Sequence, residues 1–375
     1  MTGISDSDGS APDVAVFTAA SAFNPDRLRL AREAHGLLQT ELADRIETTA
    51  SAVSQFESGA ISPSPDTVAR MSLALGYPPQ FFSAPLVARL DSDRCHFRRL
   101  RSAPKRHQRE VLARGDLLMS LVVELEEHVT FPEEQISEHA AEVRSLQEVE
   151  LLAERLRAVW GLGLGPISDM VALIERLGVM VLELKGHSRA LDAFSTWLVG
   201  RPLVFLSSEK ESATRRRFDC AHELGHLLMH QEADPGRREL EAQADRFASA
   251  FLLPGESFAK EYPDRLNWAH LRALKRRWKV SLAAMLKRAF DLDLISEATY
   301  RRAFVHLNRA GWREQEPDEP SMERPSLIKK AVRRLIEAGR QRIADLAHAV
   351  ALREPTVAEL ISGADPQPAL SLSLA

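Results

Sequence analysis

Apolar residues recur along most of this chain every three or four positions, the spacing of one buried helix face. Leu28, Leu30 and Ala31 begin the pattern, Leu42, Ala43 and Ile46 continue it, and Val53 and Phe56 complete a set of short helices over 24–83. After a basic stretch at 84–115 two longer helices are expected. One is LLMSLVVELEEHV; the other runs from Ser145 to Trp160, with Leu151, Leu152, Leu156 and Val159 at helical spacing. A helix over 167–177 follows. The pattern then changes. VMVLEL (179–184), FSTWLVG (194–200) and PLVFLSS (202–208) are short apolar, β-branched runs, which predict strands. Helical spacing returns over 211–230, 239–253, 266–278, 281–290 and 296–309. The expected fold is mainly α with a small β-sheet.

Breaks in the pattern suggest the domains. Residues 1–23 read as a disordered tail and 24–83 as a small helical domain. Residues 84–145 read as a basic linker and helical connector, and 146–312 as an α+β domain. The charged, proline-rich EQEPDEPSMERP marks a linker at 313–325, before a small helical unit at 326–375. GLGLGP (161–166) follows a helix and not a strand, so it reads as a connecting loop rather than a phosphate cradle.

Composition narrows the setting. The 375 residues carry a net charge of −4, with 45% hydrophobic and 27% charged positions, as in soluble globular proteins. No run approaches the roughly 18 apolar residues of a membrane helix. MTGISDSDGSAPDVAV lacks the basic-then-apolar order of a signal peptide. Cys95 and Cys220 are too few for a disulfide framework. A cytoplasmic protein with no membrane contact is expected.

PDRLRLAREAHGLLQTELADRIETTASAVSQFESG carries a helix-turn-helix pattern. Gln39 opens its second helix, and the turn ETTA leads into a third that can lie in a major groove. Thr49, Ala50, Ser51 and Gln55 face outward from that third helix. An amide can read adenine, a hydroxyl a base or phosphate, and a methyl group thymine. From Leu28 to about Phe82 the chain resembles the XRE/Cro-type helix-turn-helix family, with Glu47 where that family often has Gly. The resemblance implies a five-helix domain binding operator DNA as a homodimer, with Gln39, Thr49, Ala50, Ser51 and Gln55 as the candidate DNA-binding residues. The unit is not basic: five arginines face seven acids between Pro25 and Phe82. FRRLRSAPKRHQR just beyond it could supply phosphate contacts, or be a solvated linker.

FDCAHELGHLLMH (218–230) carries the other chemistry. Residues four apart share a helix face, so His222 and His226 can reach one ion, with Glu223 toward its open side. Gly225 leaves room for a close neighbour. In ELEAQADRFASAFLLP, Glu241 is the candidate third ligand and Asp245, four on, the carboxylate that would orient a ligating histidine. Two histidines, one glutamate and an open position make a catalytic zinc arrangement, one Zn2+ per chain. Glu239 is the fallback ligand, Cys220 a buried small residue, and His230 either lines the cleft or ends the helix. Arg217, His230 and Tyr262 are candidate oxyanion donors. LVFLSS is expected beside the histidine helix with an edge open to an extended peptide.

RRRFDCAHELGHLLMH and EAQADRFASAFLLP, with KVSLAAMLKRAFDLDLIS, resemble the ImmA/IrrE-type metallopeptidases over about 146–312, and HFRRLRS recurs in their fusions to XRE-type domains. The resemblance implies a zincin-like fold in a bacterial regulator, with His222, His226 and Glu241 as ligands and Glu223 as general base. Two functions follow from the sequence. One is a DNA-binding regulator with an active zinc endopeptidase, cutting another repressor or itself. The other is a non-enzymatic transcription factor whose peptidase-like domain senses a ligand or holds a structural zinc. IADLAHAVALREPTVAELISG, near the C-terminal end, echoes TELADRIETTASAVSQFESG. It reads as a second helix-turn-helix or as a packing unit, with packing preferred.

Overall fold

Side-chain oxygens mark where the helices begin. Thr49, Ser64, Ser145, Asp169 and Ser212 each accept a bond from a first-turn backbone N–H that has no partner within the helix. The structure is a computed structural model that describes residues 11–87, 89–90, 104–184, 193–198, 200–208, 212–231 and 237–362. In chain order these form α1 (Ala11–Ser21), α2 (Pro25–Ala34), α3 (Gln39–Arg45), α4 (Ala50–Ser58), α5 (Pro65–Leu75) and α6 (Lys105–Glu126). Next come α7 (Leu146–Val159), α8 (Met170–Arg176), β1 (Met180–Leu184), β2 (Ala193–Leu198) and β3 (Arg201–Ser207). Then follow α9 (Ala213–Met229), α10 (Arg238–Leu252), α11 (Gly255–Glu261), α12 (Trp268–Trp278), α13 (Leu282–Asp291) and α14 (Glu297–Arg309). Last are α15 (Leu327–Glu337), α16 (Ile343–Ala349) and α17 (Glu354–Ser362). The fold is mainly α with one small sheet, as expected; α11 is a short helix that periodicity does not reveal.

The described residues divide into two compact units. The first takes the described residues within 11–90, 104–130 and 328–362, and the second those within 131–327.

The first unit is built on α1–α5. Leu28, Leu42, Val53, Val68 and Phe81 are fully buried in it. Arg32 and Glu57 form a buried bidentate pair, Nε–Oε1 2.5 Å and Nη2–Oε2 2.9 Å, which locks α2 to the end of α4. Glu47 takes a left-handed φ of 54°, so the turn keeps its geometry without glycine at the strain of a Cβ in that region. The tail expected over 1–23 contains α1. Ala19 and Ala20 bury its small-residue face against the unit, a contact too short for periodicity to register. The basic segment also differs from expectation. Residues 105–114 are the first turns of α6, where Arg106 and Arg114 donate to the carbonyls of Gly36 and Ala34. Arg89 pairs with Glu33 at 2.9 Å. These three guanidiniums hold the unit together instead of standing clear for phosphate. FRRLRS lies outside the described residues.

In the second unit the strand order is β1-β3-β2, with β1 parallel and β2 antiparallel to β3. The expected open edge on LVFLSS is therefore corrected: β3 is paired on both sides, and β2 is an edge. Gly178 has φ 82° where α8 turns into β1, and a Cβ there would lie 2.4 Å from the Glu133 carbonyl oxygen, so no other residue fits. GLGLGP wraps the buried Arg157, which donates to the carbonyls of Gly163, Gly165 and Phe251, as a structural loop would.

The stretch expected as a linker at 313–325 is a strap bonded along the second unit. Glu316 accepts from Lys275 Nζ at 2.8 Å and from the first N–H of α13. Glu319 accepts from Lys275 and from the start of α9 at Thr214. Glu323 accepts from the first N–H of α8 and from the buried Arg217 of α9. Composition shows acids and prolines here; it does not show that each acid has a buried cation or helix start waiting for it.

Glu323→Ala would leave Arg217 buried without its counter-charge, at a cost of about 3–5 kcal/mol. All five tryptophans lie in the second unit, at 160, 197, 268, 278 and 312, so their fluorescence reports that unit alone. The tryptophan-monitored urea midpoint should fall; an unchanged midpoint removes the strap from the stability of this unit.

Candidate metal centre

Helices α9 and α10 form the site together. Leu224, Leu227 and Leu228 seat α9 in the core, and Phe247, Ala248 and Phe251 seat α10. The helices meet at Gly225, where an added Cβ would stand 3.1 Å from Phe247 Cδ1. Any larger residue would push α10, and Glu241 with it, away from the histidines. The start of α9 is fixed by two buried arginines. Arg216 donates to Glu183 of β1 at 2.7 Å and to the Ser207 carbonyl at 2.8 Å. Arg217 donates to Glu323 and the Ile167 carbonyl. Arg217 is thus an anchor and not an oxyanion donor.

Three donors converge. His222 Nε2 and His226 Nε2 are 3.1 Å apart, and Glu241 reaches them at 3.5 and 3.6 Å. All three side chains are buried. Bonds behind the rings set which nitrogen faces inward. Asp245 Oδ1 holds His222 Nδ1 at 2.9 Å. Behind His226, the amide of Gln243 donates to the Val143 carbonyl at 3.3 Å, which turns its oxygen toward His230 Nε2 at 2.8 Å. That oxygen accepts only, so His230 Nε2 carries the ring proton and His230 Nδ1 accepts. Burial lowers the pKa of His230, in keeping with a neutral ring. His226 Nδ1, 2.9 Å from His230 Nδ1, is then the donor, and His226 Nε2 turns a lone pair toward His222. Only a proton or a metal cation can stand between two such nitrogens. Burial lowers the pKa of His222, but Asp245 and Glu241 outweigh it and raise it to about 10. Two imidazoles and a carboxylate with fixed tautomers fit a divalent ion.

Glu223 lies beside this group. It is 4% exposed, and Ser195 Oγ of β2 donates to its Oε2 at 2.6 Å. Burial pushes its pKa up to about 7, against the pull of His222 and the Ser195 hydroxyl. Glu239 is exposed and apart from the donor group. Cys220 is fully buried, and burial raises its thiol well above its usual pKa. Tyr262 packs against Phe258, and its buried hydroxyl has no hydrogen-bond partner. Sequence reasoning missed Ser195 and Gln243 and left His230 open. His230 repeats the four-residue spacing of His222 and His226, a signal that the sequence does carry. Ser195 belongs to a distant strand, and no local pattern ties it to Glu223.

In the first unit, Thr49, Ser51 and Gln55 are exposed on or just before α4, and Ala50 is half-buried. Thr49 Oγ1 caps the helix at Ala52 N. Gln39 is committed inward, its amide donating to Glu57 at 2.9 Å.

Residues 174–290 match the IrrE N-terminal-like domain and residues 28–82 match the helix-turn-helix family. The first match spans the sheet, α9 and α10, and so Glu223 and all three donors. The chain is therefore a fusion of an XRE-type helix-turn-helix domain with an IrrE-like, metallopeptidase-type domain. A search of curated proteins finds no match to it. No described helix is long and apolar enough to cross a membrane.

His230→Leu stays close to the imidazole in volume and removes the bond behind His226. Metal affinity of the full chain, read by competition with a chromophoric chelator, should fall 10- to 100-fold. Wild-type affinity would mean that His230 only fills space.

Proposed function

We propose that this chain is a bacterial, cytoplasmic DNA-binding regulator whose second unit is a zinc-dependent endopeptidase acting on a regulatory protein or on the chain itself. His222, His226 and Glu241 would hold the zinc. When bound, zinc supplies Lewis acidity, bringing the loss of a proton from water near pH 7. The observation that carries the reading is Glu223: a buried carboxylate outside the donor set, oriented by Ser195, beside an ion site. A site that only stabilised the fold would have no use for it.

Glu223 takes the proton of the attacking water and returns it to the leaving amine. Its burial supports this role, since a pKa near neutrality lets a carboxylate both accept and release a proton. Ser195 holds the carboxylate in one rotamer. Because β2 is a sheet edge and carries Ser195, an extended peptide pairing with it would pass beside Glu223. On the other unit, Thr49, Ala50, Ser51 and Gln55 of the α4 region would face the major groove of an operator. A homodimer would match a palindromic site.

Glu223→Gln preserves size and hydrogen bonding while removing the base. Purified variant should keep one zinc per chain by elemental analysis and its affinity for promoter DNA. Proteins cleaved in the wild-type cell should accumulate uncut, with turnover reduced about 10²–10⁴-fold. If the same proteins are still cut while zinc stays bound, the domain is a sensor and not a peptidase.

A further inference from the structure

The C-terminal helices repeat the N-terminal motif in backbone detail. Helices α3 and α16 have seven residues each, and α4 and α17 nine each. Between them stands one left-handed residue, Glu47 at φ 54° and Ala351 at φ 53°. The turn is closed in the same way: Thr48 N donates to the Ala43 carbonyl at 3.0 Å, and Leu352 N to that of Ala347 at 2.8 Å. An acid in the first turn bonds back to the residue before each helix, Glu41 to Leu38 N and Asp345 to Arg342 N. Leu42, Ala43, Ile46 and Val53 are buried, and so are Leu346, Ala347, Val350 and Val357. Every pair lies at one constant offset. The preceding helices also end alike. Gly36 and Gly339 are left-handed at 61° and 64°, and the next N–H reaches back 3.0 Å to the carbonyl of Arg32 or Leu335. The second connection is one residue longer, and α15 has one residue more than α2.

The two motifs differ in charge. Over the equivalent residues 24–58 the first has four arginines against six acids, and Arg27 and Arg32 are buried. Residues 327–362 have seven arginines and lysines against four acids. Lys330, Arg333, Arg334, Arg340 and Arg353 are all exposed, and so is Arg342, whose guanidinium pairs with Asp345 at 2.8 and 3.1 Å at the surface and would exchange that partner for a phosphate. Arg342 stands where the first motif has Leu38, and Arg353 where it has Thr49. In the same alignment Ser51 becomes Pro355 and Gln55 becomes Glu359. The second motif has lost the small base readers and gained guanidiniums at the positions flanking its helices.

We propose that α15–α17 is a second DNA-docking helix-turn-helix, which supplies the phosphate contacts that the acidic first motif lacks. The inference builds on the DNA-binding reading of that first motif. The division of labour follows from the chemistry. Arginines on phosphate give affinity and salt dependence with little sequence choice, while amides and hydroxyls in the groove give choice.

The test uses the full chain and two duplexes of equal length, one from its own promoter and one of random sequence, by fluorescence anisotropy across a KCl series. R340A/R342A/R353A should weaken binding to both duplexes at least tenfold at low salt. The slope of log K against log salt should drop by roughly 2 to 3, about 0.9 for each phosphate no longer neutralised. The triple lysine variant should recover most of the slope. S51A/Q55A should keep the slope and lose the preference for promoter DNA. Wild-type slope and affinity in the triple alanine variant, with folding verified by circular dichroism, would overturn the proposal and leave α15–α17 as a packing or protein-docking unit. Failure of the first-motif reading shows separately, as unchanged promoter preference in S51A/Q55A.

Discussion

Two imidazole nitrogens, each turning a lone pair toward the other across 3.1 Å, cannot rest without a cation between them. Much of the second unit exists to hold them there. Asp245 fixes one ring from behind, and the run from Val143 through Gln243 and His230 fixes the other. Gly225 lets α10 come close enough for Glu241 to join them. Arg216 and Arg217 anchor the start of the helix that carries both rings. Polar bonds of this kind are directional, so they settle orientation in a way that apolar packing alone does not.

Much of this is legible in the sequence. The three strands, the helices of both principal domains except α1 and α11, and the candidate donors follow from periodicity and from the four-residue spacing of helical neighbours. What is not legible depends on partners far apart in the chain. Ser195 meets Glu223 only because β2 pairs with β3 at the edge next to α9. Gln243 looks like any surface amide until Val143 and His230 are placed on either side of it. The strap escapes a sequence reading for a similar reason. Acids and prolines look like solvent-exposed linker wherever the buried cations that bind them lie elsewhere, as Lys275 and Arg217 do.

The first unit shows the opposite situation. Its turn tolerates Glu47 and Ala351 at left-handed positions, where a family pattern would lead one to look for glycine. The surrounding bonds over-determine the turn, so it keeps its geometry without glycine. The charge difference between the two motifs follows the same logic. Once the fold is secured by Leu42 and Val53, or by Leu346 and Val357, the outer surface is free to take on a separate task.

The strap also bears on how the molecule can be taken apart. Similarity to the IrrE-like domain ends at residue 290, and the helical pattern ends near 309, so either point looks like a natural place to cut. Glu316, Glu319 and Glu323 lie beyond both. A fragment stopped there would enclose Lys275 and Arg217 with no counter-ions and lose the glutamate bonds to the first N–H groups of α8, α9 and α13. The smallest autonomous folding piece of the peptidase-like half therefore runs to about residue 327, farther than homology alone would place its border.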